Sequence, residues 1–186
     1  MDTLNQNTTH ITLGQMNLIN KLRRLWMQLA MWRRAFLVSS ASKFGDVDLI
    51  GERLYYAPLA FKDLFEVFFG EDIANQIQYY LTGQILIGAE ILNAEKEGDR
   101  ETVDEATQRM YENANEIAAY LAEINPYWNE ETWRNLLYEY YRITILEMVT
   151  VLAGRYQESI TLYESLEDQA LKIADYMAEG FIKYFC

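Results

Sequence analysis

Three polar side chains lie on faces of this sequence that a helical protein would bury: Gln84, Tyr140 and Glu147. Gln84 falls on the stripe Ile77, Tyr80, Leu81, Gly88 and Ile91. Tyr140 and Glu147 fall on the stripe Trp133, Leu136, Leu137, Thr144, Met148 and Val151. Both stripes step by three and four, as a 3.6-residue period requires. Helical bundles use inward carboxylates to hold metals, completed by Glu-x-x-His pairs. Here the one histidine, His10, stands in a polar N-terminal stretch, and no helical segment carries another. An acid, an amide and a phenol satisfy one another by hydrogen bonding more readily than they ligate a transition metal. The expectation is therefore a polar layer in the core, with no metal, no cofactor and no catalytic residue.

Other reactive patterns are missing. The sequence has neither the Gly-x-x-x-x-Gly-Lys-Ser/Thr loop nor the Gly-x-Gly-x-x-Gly turn that cradle phosphates. Its one cysteine, Cys186, is the last residue, so it forms no internal disulfide and no Cys-His pair. No catalytic constellation emerges, which leans against an enzyme and leaves that question open.

The elements that would position the three residues are helices. The chain has 186 residues, 51% hydrophobic, with nine glycines and two prolines, which suits one domain with a sizeable core. Residues 1–12 read as a disordered tail and 13–186 as a single helical-bundle domain. Helices are expected near residues 14–40, 72–96, 99–125, 129–154 and 158–184. Gly98 supplies a left-handed stop, Asp99 and Asn129 supply N-caps, and Pro126 forces Asn125 out of helical geometry. Between them, residues 44–70 predict one or two short helices broken at Pro58, with Phe65, Phe68 and Phe69 covering one end of the core.

The last four helices carry a repeat. "IAAYLAE" at Ile117–Glu123 matches "IADYMAE" at Ile173–Glu179, and the same spacing of 56 residues pairs Gly98 with Gly154 and Gln84 with Tyr140. Residues 72–128 and 129–186 thus read as two copies of one hairpin. The fold class expected is all-α: a ferritin-like up-down bundle of the two hairpins plus a long N-terminal helix.

That first helix holds the basic stretch "LRRLWMQLAMWRRAFL". Residues 1–45 carry six basic groups against Asp2, whereas the remainder carries ten basic against twenty-seven acidic groups. Its apolar stripe, Leu18, Leu22, Leu25, Leu29, Trp32 and Phe36, predicts a buried face with Arg23, Arg24, Arg33 and Arg34 at its rim. The overall charge of −12 opposes nucleic-acid binding. No apolar run is long enough to insert into a membrane, and no signal peptide is evident, which points to a cytoplasmic protein.

Five segments, "ITLGQMNLINKLRRLWMQLAMWRR", "LTGQILIGAEILNAEKEG", "YENANEIAAYLAEINPYW", "LLYEYYRITILEMV" and "ALKIADYMAEG", together resemble an uncharacterised bacterial family of helical-bundle proteins. Its members often carry the label acetylglutamate kinase. The residues here offer no glycine-rich phosphate loop for such an activity, so the label reads as mistaken. The resemblance implies histidines in the first, third and fifth helices, at places corresponding to Leu29, Gln84 and Tyr140; none of the three is histidine in this chain. The function expected is that of a non-catalytic bundle acting through a homo-oligomer or a protein partner. The alternative is a ferritin-like metal- or small-ligand-binding bundle whose core ligands have changed.

Overall fold

A computed structural model describes residues 10–185. It comprises six helices: α1 (Leu13–Ser42), α2 (Val47–Phe69), α3 (Glu71–Glu97), α4 (Arg100–Ile124), α5 (Glu130–Leu152) and α6 (Tyr156–Phe185). No strand occurs among the described residues. Of the tail expected over residues 1–12, residues 1–9 lie outside the described residues, as does Cys186. His10 is exposed, and Thr12 already belongs to the fold.

Helix ends follow local chemistry. Thr12 and Gln15 form a reciprocal capping box, each side chain accepting from the other's backbone N–H (3.2 and 2.9 Å). Asp99 accepts from Thr102 N at 3.1 Å and Asn129 from Thr132 N at 2.9 Å, which starts α4 and α5 where expected. Gly98 and Gly154 turn the chain out of α3 and α5 with φ of 74° and 72°, a conformation that costs side-chain-bearing residues roughly 1–2 kcal/mol.

Each helix packs against its neighbours in the chain, and α6 closes the ring against α1. Neighbours run antiparallel. Arg23 and Arg34 on α1 meet Asp175 and Ser159 on α6 in reverse order, and Glu90 and Tyr80 on α3 meet Arg109 and Asn113 on α4 likewise. Helix α5 also touches α1 and α3, which places it nearest the axis of the bundle.

The segment 44–70 differs from its expectation. It forms one continuous helix through Pro58, and α1 and α2 together complete the ring between α6 and α3. Proline removes one hydrogen-bond donor from the helix interior. The buried residues on both sides of it, Leu54, Ala57, Phe61 and Phe65, hold the two halves on one core face. Each fully buried large side chain contributes on the order of 1.5–3 kcal/mol, enough to offset the lost bond.

The phenylalanines do cover one end. Phe65 and Phe69 pack on Trp128 and Phe181, and Phe68 packs on Phe181 and Phe185, with ring centroids 5.1–6.4 Å apart. This end depends on Gly180, where an added methyl would overlap the buried Trp128 indole. Gly83, by contrast, has helical backbone and room for a methyl at ordinary contact with Asn113. Gly180→Ala is therefore expected to lower stability by roughly 1–3 kcal/mol through overpacking. Gly83→Ala is expected to raise it by roughly 0.5–1 kcal/mol. Chemical denaturation of both variants beside the parent checks the pair of signs.

Candidate functional site

Helices α1 and α5 run parallel through the interior, and their facing residues build a charged layer. On α1 the buried positions Leu22, Trp26, Leu29, Ala30, Arg33 and Leu37 share one face. On α5 the steps of four and three between Tyr140, Thr144 and Glu147 put all three on the face turned toward α1. Trp26 meets the Tyr140 ring edge-on at 5.8 Å. Two turns on, the Arg33 guanidinium lies over that ring, 5.2 Å from its centre, and Arg33 Nη1 donates to Thr144 Oγ1 at 3.4 Å. The Thr144 hydroxyl in turn donates to the Tyr140 carbonyl at 2.8 Å.

Arg34 donates to the Glu147 carboxylate and to the Ser159 carbonyl (3.3 Å), while its guanidinium stacks on Tyr163 at 4.7 Å. Glu147 is 1% exposed. Burial raises its carboxyl above the usual carboxylate range, and the charges of Arg34 and then Arg33 oppose that rise. Burial also raises the Tyr140 and Tyr141 hydroxyls, so both phenols stay protonated. Tyr141 donates to Asn113 Oδ1 on α4 at 3.3 Å, and Asn113 donates to the Tyr80 carbonyl at 3.3 Å.

All three residues singled out from the sequence are buried: Gln84 and Tyr140 fully, Glu147 almost so. They do not satisfy one another, however. Glu147 takes its hydrogen bond from Arg34, whereas both amide atoms of Gln84 and the hydroxyl of Tyr140 lack a partner among the described residues. Gln84 belongs to the same stretch of the interior. Below it, Leu81 and Leu137 line one small cavity, and above it Gly88 faces Met148, so its level falls between those of Leu137 and Met148. Leu29, 1% exposed, sits one turn before Arg33 on α1.

Arg33 and Arg34 were expected at the rim. Arg23 is there, paired with Asp175 at 2.5 Å in the open, but Arg33 is buried and Arg34 half-buried. The inward face is centred on Trp26 and Arg33, and Trp32 is only half-buried, packed under Arg53 at 4.9 Å. A partial signal existed: an inward Glu147 calls for a cation at its own level, and Arg33 and Arg34 stand beside the apolar stripe of α1.

The donor set does not fit a transition metal. Leu29 offers no donor, Gln84 a neutral amide and Tyr140 a protonated phenol, while Glu147 is engaged by Arg34. Among the described residues no three His, Cys, Asp or Glu side chains cluster as metal ligands would.

A second feature lies on the surface. Phe36, Gly51, Tyr55, Tyr56 and Leu59 line a groove of about 650 Å³ between α1, α2 and α3, and Asp48 and Glu52 line it as well. Compared with known protein-family models, curated proteins and solved structures, the chain shows no match in any of the three.

Two outcomes follow. Elemental analysis of protein purified without chelator should find no stoichiometric iron, manganese or zinc; a 1:1 metal content would overturn the reading of the donor set. The Glu147 carboxyl is a weaker acid when folded than unfolded, so folding takes up a proton as pH falls through its raised range. Its contribution to stability therefore grows on acidification and levels off near the ordinary value of about 4.3. Thermal melts should show the parent gaining on Glu147→Gln between neutral pH and that point. A parent that loses ground to the variant on acidification would contradict the raised carboxyl.

Proposed function

We propose that this chain is a non-catalytic binding protein, a ferritin-like bundle built from a duplicated hairpin, that acts through a protein partner. The duplication is supported by the equivalent left-handed turns at Gly98 and Gly154 and by the equal burial of Gln84 and Tyr140 at the same spacing. The observation that carries the functional reading is the groove along α2. Tyr56 stands 61% exposed there with Tyr55 and Leu59, an apolar group that shares the groove with Asp48 and Glu52. That combination suits a basic amphipathic helix, whose apolar face meets that group while its lysines or arginines meet the two acids. A second copy of this chain, at −12, fits the two acids less well.

A second reading, a bundle that holds a small ligand in its core, is favoured by one observation. Gln84, Tyr140 and Arg33 are each more than nine-tenths buried, yet retain polar atoms without partners.

Titration with a designed Leu/Lys amphipathic helix, followed by the fluorescence of the groove tyrosines, tests the first reading. Binding should weaken at least tenfold, roughly 1.4 kcal/mol, when Glu52→Lys and Tyr56→Ala are combined. A matching Leu/Glu helix should not bind. Equal binding by the variant would remove the groove from the interaction. A concentration-dependent dimer in sedimentation, lost with the same variant, would make a second copy the occupant.

A further inference from the structure

We propose that Arg33, Tyr140 and Gln84 enclose a small, halide-sized anion in the interior between α1, α3 and α5. The inference rests on the second reading above and names the ligand class that such a core would hold.

Charge comes first. Two guanidiniums enter this interior, Arg33 at 6% exposure and Arg34 half-buried, against the single carboxylate of Glu147. Glu147 spends its hydrogen bond on Arg34. Arg33 keeps only a long bond to Thr144 and the face of the Tyr140 ring, and its Nη2 has no partner. A buried charge is tolerated when paired, and other unpartnered groups of this interior are donors too, Trp26 Nε1 beside the Tyr140 ring among them. The Tyr140 hydroxyl is held protonated by burial, and the Gln84 amide nitrogen is likewise unpartnered.

The chemistry of these orphan groups selects the ligand. A guanidinium N–H, a phenolic O–H and an amide N–H are three donors, with one acceptor, Gln84 Oε1, among them. A cation would meet donors and a net positive charge. A monovalent anion would neutralise Arg33 and accept from all three donors. The surroundings also limit size. The layer below is closed by Trp26, Leu81 and Leu137 with almost no free space. The ligand is therefore confined to a monatomic anion, the most compact species able to accept from three donors at once.

The test compares bromide with gluconate at equal ionic strength, so that screening of the acidic surface is held constant. The parent protein should melt several degrees higher in bromide, because an ion that binds only the folded state stabilises it by mass action. The difference should vanish in Arg33→Leu, and also in Tyr140→Phe, which keeps the packing and so guards against a variant that fails to fold. A bromide-soaked crystal should show an anomalous peak within hydrogen-bond reach of Arg33 Nη2. An equal bromide effect in parent and Tyr140→Phe, with no such peak, overturns the anion. In that case density for water or an organic molecule among the three side chains leaves the ligand-holding reading standing. Direct bonds between the side chains, with nothing among them, end both.

Discussion

The pairing of Arg34 with Glu147 is the constraint on which the rest of the architecture hangs. A carboxylate 1% exposed in the middle of a helical bundle is costly, and breaking a buried pair typically costs about 3–5 kcal/mol because the remaining charge is stranded. The pair therefore fixes α1 against α5 in one register, with Arg33 over Tyr140 and Trp26 two turns before it. A register that moved Arg34 away from Glu147 would leave that buried carboxylate without its partner. The exposed pairs differ in kind: Arg23–Asp175 and Arg109–Glu90, each side chain more than 40% exposed, add roughly 0–1 kcal/mol.

From that register the layers stack in order. Beneath the charged layer, Trp26, Phe61, Leu81, Leu121, Leu137 and Met177 bring one residue from each of the six helices to a single apolar layer. Beyond it the aromatic end closes the bundle around Phe181 and Trp128. The basic α1 sits between α2 and α6, where Arg23 pairs with Asp175 of α6 and Arg34 reaches inward to Glu147 of α5, while Lys21 and Arg24 face outward. The outer face of α2 stands apart. It contributes Leu54, Phe61 and Phe65 to the core and still leaves Tyr55, Tyr56 and Leu59 outside, more apolar surface than its own packing uses.

Much of this was legible before any coordinates. Caps and glycines depend on neighbours three or four residues away, so Asp99, Asn129, Gly98 and Gly154 marked their helix ends correctly. Periodicity placed Gln84, Tyr140 and Glu147 inside. It failed at Pro58, because a proline's local penalty is visible in sequence and the tertiary packing that outweighs it is not. It failed again at Arg33, since an arginine beside a stripe of leucines and tryptophans looks like a rim until its long-range partners are known. The orphan atoms of Gln84 and Tyr140 were beyond reach for the same reason: spacing reveals which face is buried, not which groups meet there.

A double-mutant cycle on Arg34 and Glu147 tests the buried pair most directly. Arg34→Met leaves the carboxylate sealed and unpaired and should cost about 3–5 kcal/mol of unfolding free energy. Glu147→Leu leaves a guanidinium that is 21% exposed and able to reach water, and should cost less. The double variant should recover much of the loss, with a coupling energy on the order of 2–3 kcal/mol. Losses that simply add, within about 0.5 kcal/mol, would show that the two charges do not hold each other and that something else sets the register of α1 on α5.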